Sequence, residues 1–286
     1  FILTEDEHFG SFLFEVSFYT IIRTLSSGMI LDIKNVSIRR DSKYILRDIS
    51  WSIEDGQHWV VLGLNGSGKT TLLNMINGYI FPSSGEVTVL GKPFGKYDLR
   101  ELRKSIGWVS TALQERLYGN ERAIDIVISG RYASIGLFNV PSDEDKEAAL
   151  EKLELLDAEA LSGRFYGTLS QGEKQKILIA RGLMSDPRLL ILDEPCTGLD
   201  IFSREQLLKT VDELSKIDYA PTLVYVTHQI DEILPSFSHS LLMRRGEIHS
   251  QGSTADMLTT ENLSDFFETD IECKKANDRY AISFQL

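Results

Sequence analysis

Nowhere does the sequence run for the roughly 18–20 uninterrupted apolar residues that a membrane-spanning helix requires. The nearest approach, Phe9 to Leu25, is broken by Glu15 and Arg23. It does not read as a secretory leader either, because Glu5, Asp6 and Glu7 stand where positive charge belongs. Any membrane role is therefore expected to be played from outside the bilayer. Cysteine is nearly absent: Cys196 and Cys273, far apart and without metal-ligand spacing, offer no disulfide framework and suit a reducing, cytosolic compartment. A basic surplus is missing too. Thirty Lys and Arg against 42 Asp and Glu leave a formal net charge of −12, which argues against a general polyanion binder while leaving room for a local basic groove. No internal repeat and no low-complexity segment is visible. What remains is an ordinary globular composition, 42% hydrophobic and 25% charged over 286 residues, enough to bury a substantial core.

Met29 opens MILDIKNVSI, which reads as a strand start, so residues 1–28 read as an upstream extension and stand outside the fold argument. From Ile30 to Ile53, alternating and β-branched stretches read as antiparallel strands, two of them linked by the polar RRDSK at 39–43. Trp59 to Leu62 is a short apolar run between turn residues, the pattern of a strand buried on both faces. Thr70 to Ile76 reads as helix, with Gly78 as its stop. A turn and strand at 82–91 follow. Helical periodicity spans about Ala123 to Leu161, with a capping box at Ser142 and Asp145, and a second helix runs from Glu173 to about Met184. Next come a strand at Leu189 to Leu192, a helix over about 204–216, and strands at Thr222 to Val226 and Ser240 to Met243. Strands alternating with helices predict an α/β protein with a mostly parallel sheet. Residues after about Thr254 read as a helix and a short terminal strand.

The apolar run ends in Gly63-Leu64-Asn65-Gly66-Ser67-Gly68-Lys69-Thr70-Thr71, a Gly-x-x-x-x-Gly-Lys-Thr pattern with strand before and helix after. Glycines let successive backbone N–H groups curl inward, forming an anion nest at a helix N-terminus. Lys69 can reach the β- and γ-phosphates as a point charge, and the Thr70 hydroxyl can ligate Mg²⁺. The expected ligand is a nucleoside triphosphate.

Leu189-Leu190-Ile191-Leu192 runs straight into Asp193-Glu194. Two adjacent acids after four aliphatics are costly to bury unless a cation meets them. In a nucleotide fold, Asp193 is expected to contact Mg²⁺ through water, and Glu194 to polarise the attacking water. His228 ends the apolar strand that follows. Parallel strands present their carboxyl ends to one crevice, so His228, Asp193 and Gly63 should share an edge, with His228 beside the γ-phosphate.

The stretch TLSQGEKQKILIARGLMSDPRLLILDEPCTGLD, 168–200, narrows this to one superfamily. The chain resembles the ATP-binding cassette (ABC) ATPases from about Ile30 to Gly252. Leu169 to Glu173 is similar to the signature motif usually written LSGGQ. Asp193-Glu194 is similar to the Walker B pair, Thr197 to Asp200 to the D-loop, and His228 to the switch histidine. The resemblance implies a P-loop NTPase (RecA-like) core with a mostly parallel sheet, an antiparallel β subdomain and an inserted α-helical signature subdomain at about 107–168. These would lie within an ATPase domain at 29–255, followed by a C-terminal tail at 256–286. It implies ATP and Mg²⁺ as cofactors, and a head-to-tail dimer with a second copy or a homologous cassette. Ser170, Gln171 and Gly172 of one copy would then complete the site holding ATP on the other, with Asp200 nearby. Ser170-x-x-Glu173 is also a capping box, and both readings can hold together.

Gln171 stands where the signature has a glycine, and Glu173 where it has glutamine. A glutamate near ATP would weaken the closed dimer unless it points back to its own cap. The family's adenine-stacking aromatic falls near Arg39 or Arg40, a guanidinium position or the hairpin tip, with Tyr44 as the alternative. Thr111 occupies the Q-loop glutamine's place and Gln114 lies three residues on; either takes the magnesium contact. The resemblance further implies separate integral-membrane transporter subunits, a peripheral location at the inner face of the cell membrane, and no nucleic-acid partner. Ile128 to Phe138 loosely resembles importers for iron chelates, cobalamin or molybdate. The alternative is a soluble ABC ATPase acting mechanically on ribosomes or DNA.

Overall fold

The computed structural model describes residues 28–138 and 140–284. Two twelve-residue strands, β1 (Met29–Arg40) and β2 (Lys43–Glu54), pair antiparallel around Asp41 and Ser42, both left-handed, as a two-residue hairpin turn demands. With β4 (Ser84–Val89) and β5 (Lys92–Pro93) they form a four-stranded sheet in the order β2-β1-β4-β5.

A second sheet holds β3 (Trp59–Gly63), β6 (Ile106–Ser110), β7 (Leu189–Asp193), β8 (Thr222–Thr227), β9 (His239–Arg244) and β10 (Glu247–Ser253). Its order is β10-β9-β3-β8-β7-β6, parallel throughout except for the edge pair β9–β10. The continuous apolar runs read from the sequence are its central strands, and all six residues of β8 are buried. Side chains alternate between two cores. Trp59, Val61, Leu189, Ile191, Val224 and Val226 join the core shared with the antiparallel sheet, while Val60, Leu62, Leu190, Leu192, Leu223 and Tyr225 join the core beneath the helices. Each fully buried aliphatic side chain contributes about 1.5–3 kcal/mol, so the edge where these strands end rests on a rigid platform.

Helix α1 (Lys69–Ile76) follows the glycine loop and stops at Asn77 and Gly78, the latter at φ +68°. Short helices α2 (Leu99–Arg103) and α3 (Thr111–Gln114) flank β6. Because β6 is a sheet strand, the helical subdomain expected from about 107 begins in the structure only after Ser110. Helices α4 (Ala123–Ser129) and α5 (Asp143–Glu154) lie within the expected range, and α6 (Gln171–Leu183) follows it. Both expected capping boxes form, Ser142 with Asp145 and Ser170 with Glu173. Helix α7 (Ile201–Leu214) starts three residues before the expected position because Asp200 accepts from the Phe202 and Ser203 N–H groups and caps it.

The C-terminal expectation was short by one helix and one strand. After α8 (Thr254–Met257) and α9 (Thr260–Phe267) comes a hairpin of β11 (Ile271–Ala276) and β12 (Arg279–Phe284), turned by Asn277 and Asp278 at φ +49° and +60°. Among the described residues no helix is long and apolar enough to cross a membrane. The extension expected before Met29 lies outside the described residues, apart from Gly28.

Candidate active site

Strand register brings the expected residues to one edge. Leu62 pairs with Thr227, Val226 with Asp193, and Asp193 with Ser110, so Gly63, His228, Glu194 and Thr111 each follow at the carboxyl end of adjacent strands. The glycine loop at that edge is shaped by its surroundings. Gly66 and Gly68 take φ +80° and +104°, and a Cβ on Gly68 would lie 2.7 Å from Leu46 Cδ2. A Cβ on Gly63 would fall 2.5 Å from Ser67 Oγ and 2.9 Å from the Met243 carbonyl. The Gly246 N–H donates to the Ser67 carbonyl at 3.0 Å, and Arg47 N–H to the Gly246 carbonyl at 2.8 Å, so the loop is clamped between β2 and the β9–β10 turn. Leu64, Asn65, Gly66 and Thr70 are exposed, and Thr71 is half-buried. Ser67 Oγ is buried with no hydrogen-bond partner among the described residues. A glycine cradle, an orphaned hydroxyl and a helix start without a side-chain cap suit a phosphate chain.

Lys69, Glu194 and His228 meet. Lys69 is 6% exposed; its Nζ donates to the Gly63 carbonyl at 2.7 Å and the Leu64 carbonyl at 3.3 Å, and lies 3.3 Å from Glu194 Oε1. His228 Nδ1 lies 3.4 Å from the same oxygen and has no hydrogen bond among the described residues. Glu194 adopts φ +50°, uncommon for a residue with a side chain, and is held there by its N–H donating to the Val226 carbonyl at 2.9 Å. Asp193 is pushed up to about 6, first by burial and then by the neighbouring Glu194 charge, with Lys69 pulling the other way. Two acids held so close gain from a cation. Among the described residues no group of three His, Cys, Asp or Glu side chains is arranged to hold a metal ion. That donor set, one or two carboxylates plus a hydroxyl, fits Mg²⁺ completed by phosphate oxygens and water.

The corner at the start of α6 is turned in on itself. Ser170 Oγ accepts from Glu173 N–H at 3.3 Å, and Glu173 Oε2 accepts from Ser170 N–H at 2.7 Å. Glu173 Oε1 pairs with Arg164 Nη1 at 2.6 Å. Burial alone would raise this carboxyl, but the Ser170 N–H and hydroxyl and the Arg164 charge outweigh it and hold it below the usual glutamate range. Glu173 thus points back to its own cap. Gly172 lies against Ser203 of α7, and Asp200 also accepts from the Ser203 hydroxyl at 2.6 Å. Ile201 and Phe202 beside it are 77% and 70% exposed.

Gln114 lies one helical turn past Thr111, and that turn swings its amide onto α6. It donates to Gln171 Oε1 at 2.7 Å and accepts from Gln175 Nε2 at 3.1 Å. The alternative metal position, Thr111, is exposed next to Ser110, the strand neighbour of Asp193. Arg40 sits at the hairpin tip opposite Lys43. Tyr44 carries the Arg39 guanidinium 5.0 Å from its ring centroid and Arg47 at 5.9 Å, and the next residues, Ile45 and Leu46, press on Gly68. Sequence reasoning missed Glu232, which is 2% exposed and whose Oε2 accepts from the Thr227 and Tyr225 hydroxyls at 2.6 and 3.0 Å. Its only sequence signal was an acid placed between Ile230 and Ile233-Leu234.

Comparison with known proteins gives a consistent neighbourhood. The family model described as ABC transporter matches residues 46–197. The chain is 52% identical over 252 residues to the uncharacterized ABC transporter ATP-binding protein YlmA of Bacillus subtilis strain 168, covering 88% of this chain and 96% of that one. Among solved structures, a cassette of a provisionally assigned metal-chelate type ABC transporter, in an inward-facing conformation, superimposes with a TM-score of 0.72 at 27% identity, covering 90% of this chain and 97% of the other. The dimeric bacterial ABC transporter cassette MJ0796 superimposes with a TM-score of 0.66 at 25% identity, covering 78% and 98%.

Proposed function

The chain belongs to the ABC transporter family as an ATP-binding, ATP-hydrolysing subunit, and from that premise we propose how its residues divide the work. One observation carries the reading: Lys69 Nζ and His228 Nδ1 both lie within 3.4 Å of Glu194 Oε1, at the start of the phosphate loop. The loop from Gly63 to Thr71 holds the triphosphate on its N–H groups, and Lys69 Nζ leaves the Gly63 and Leu64 carbonyls for the β- and γ-oxygens. Thr70 and Asp193 would hold Mg²⁺, with Thr111 rather than Gln114 beside them. Bound there, Mg²⁺ would neutralise charge on the β- and γ-phosphates. Tyr44, stiffened by Arg39, stacks on adenine in preference to Arg40. Glu194 orients a water for in-line attack, the bond from the γ-phosphorus to its bridging oxygen breaks, and His228 and Lys69 stabilise the charge on the departing phosphoryl group.

The second copy supplies Ser170, the Gly172 N–H and Gln171 over the γ-phosphate, while Asp200 and the exposed Ile201 and Phe202 meet the facing copy. Loss of the γ-phosphate removes what held the copies together, so the dimer opens, and this difference in affinity does the mechanical work. Separate membrane-spanning subunits receive it, with this chain peripheral at the inner face of the membrane. The transported species we infer is a metal, a metal chelate or an oxyanion moving inward. Support comes from the likeness to the metal-chelate type transporter and from the Ile128 to Phe138 segment.

Glu194→Gln tests the assignment. Turnover should fall about 10²–10⁴-fold, the usual contribution of a positioned base, while ATP still binds and an ATP-dependent dimer accumulates on size exclusion. A variant that still turns over ATP at the native rate would remove Glu194 from the role. Isolation from solubilised membranes, with the multi-span subunits attached, tests the transporter reading.

A further inference from the structure

The residues after His228 turn through a short 3₁₀ stretch, Ile230–Glu232, gripped from two sides. From within, the buried Glu232 holds the Thr227 hydroxyl, whose oxygen in turn accepts from the Gln229 N–H at 3.0 Å. From outside, Arg279 of β12 donates through Nε, at 2.9 Å, and through Nη2 to the Asp231 carbonyl. Its Nη1 pairs with Glu205 Oε2 at 3.2 Å. Glu205 sits on α7, the helix capped by Asp200, and its neighbour Arg204 reaches back across the same gap. Arg204 Nη1 donates to Gln229 Oε1 at 3.1 Å, and Nη2 lies 3.0 Å from Asp231 Oδ2. One guanidinium from the C-terminal hairpin thereby ties the His228 loop to the helix that begins at Asp200.

His228 needs such support. Its ring is about a third exposed, and among the described residues Nδ1 makes no hydrogen bond, only a 3.4 Å approach to Glu194 Oε1, so the side chain itself holds the imidazole weakly. Its position is inherited from the backbone of 227–231; besides Arg204 on the Gln229 and Asp231 side chains, that segment has two anchors, Thr227 through Glu232 and Asp231 through Arg279. The first lies in the core and forms with the sheet. The second comes from a hairpin more than 40 residues further along the chain.

We propose that the C-terminal hairpin holds His228 in register with Glu194 and that Arg279 is the positioning residue. This rests on the reading of His228 and Glu194 as partners in hydrolysis. A planar guanidinium can grip a carbonyl and a carboxylate at once; a lysine can keep one of the two.

The test is steady-state hydrolysis by the purified full chain, as Arg279→Ala, Arg279→Lys, His228→Ala and the Arg279→Ala/His228→Ala pair, with nucleotide affinity and melting temperature measured alongside. A misplacement of the order of an ångström at a reacting group costs up to about 10²-fold, so a loss of about tenfold in kcat is expected for Arg279→Ala, with KM and ATP affinity unchanged. Arg279→Lys should recover part of the loss, and the double variant should be no slower than His228→Ala. Full kcat in Arg279→Ala beside an impaired His228→Ala overturns the positioning alone. So does a double variant whose losses multiply, or a loss in Arg279→Ala carried by KM or by ATP affinity. Native turnover in His228→Ala overturns the underlying reading of His228 and the proposal with it.

Discussion

Helices α1 and α6 both begin on short glycine-containing loops, yet their first turns are in opposite electrostatic condition. Helix α1 starts at Gly68 with no side-chain cap and no acid in its first turn, and it carries Lys69 at the very start. Its free N–H groups and positive dipole end are therefore open to an anion. Helix α6 starts with Ser170 and Glu173 capping each other, and Arg164 neutralises the glutamate in turn. The first seat can hold a phosphate unaided. The second has spent most of its attraction on itself and can add only a finishing contact to a phosphate already held elsewhere. On the proposed reading, that asymmetry is how one chain would bind nucleotide while turnover would need another.

Three changes would break or sharpen this contrast. Lys69→Ala acts on the stronger seat and should have the largest effect. Charge-assisted hydrogen bonds of this kind are worth about 1.5–3 kcal/mol, so ATP affinity measured by calorimetry should fall roughly 10- to 100-fold. Unchanged affinity would contradict the loop assignment. Ser170→Ala acts on the weaker seat. Affinity of the single chain for ATP should stay as it was, while turnover falls about tenfold, equivalent to one hydrogen bond of about 1.4 kcal/mol. The same variant loses a helix cap, costing about 1 kcal/mol of stability by thermal melting.

The smallest effect belongs to Glu173→Gln, which keeps the cap's acceptor and removes its charge. Dimerisation of the Glu194→Gln background should tighten slightly, since a helix start without its negative charge is worth a few tenths of a kcal/mol more to an anion. This variant also carries a pH signature. The Glu173 carboxyl is held below the ordinary value of 4.5, so its stabilisation is present in full above 4.5 and is lost as pH falls through its folded-state value. The stability difference between native chain and variant in acid titration should therefore shrink toward zero as pH falls from 4.5 through the folded-state value.

The site's main parts were legible because each coupled a local pattern to a sheet position. Gly63, Asp193 and His228 all follow apolar strands buried on both faces, and parallel pairing forces their ends together. The Ser170–Glu173 box was readable as four residues of local chemistry. Gln114's partners were not legible by counting, because one turn of α3 moves its side chain sideways onto Gln171 and Gln175, contacts across 57 and 61 residues. Strand β11 was missed because Lys274, Lys275 and Ala276 carry little β preference; its register comes from the Asn277-Asp278 turn and the partner strand. Arg279 and Glu232 were invisible as site residues since their partners, Asp231, Glu205, Thr227 and Tyr225, meet them only in the folded chain.

The most direct trial of a shared reaction centre is the hydrolysis rate per chain under saturating ATP and Mg²⁺, followed on dilution beside sedimentation in the same buffer. A centre built from two copies predicts that this rate drops in step with the dimer fraction. A rate per chain that stays constant in a solution sedimenting wholly as single chains would contradict it.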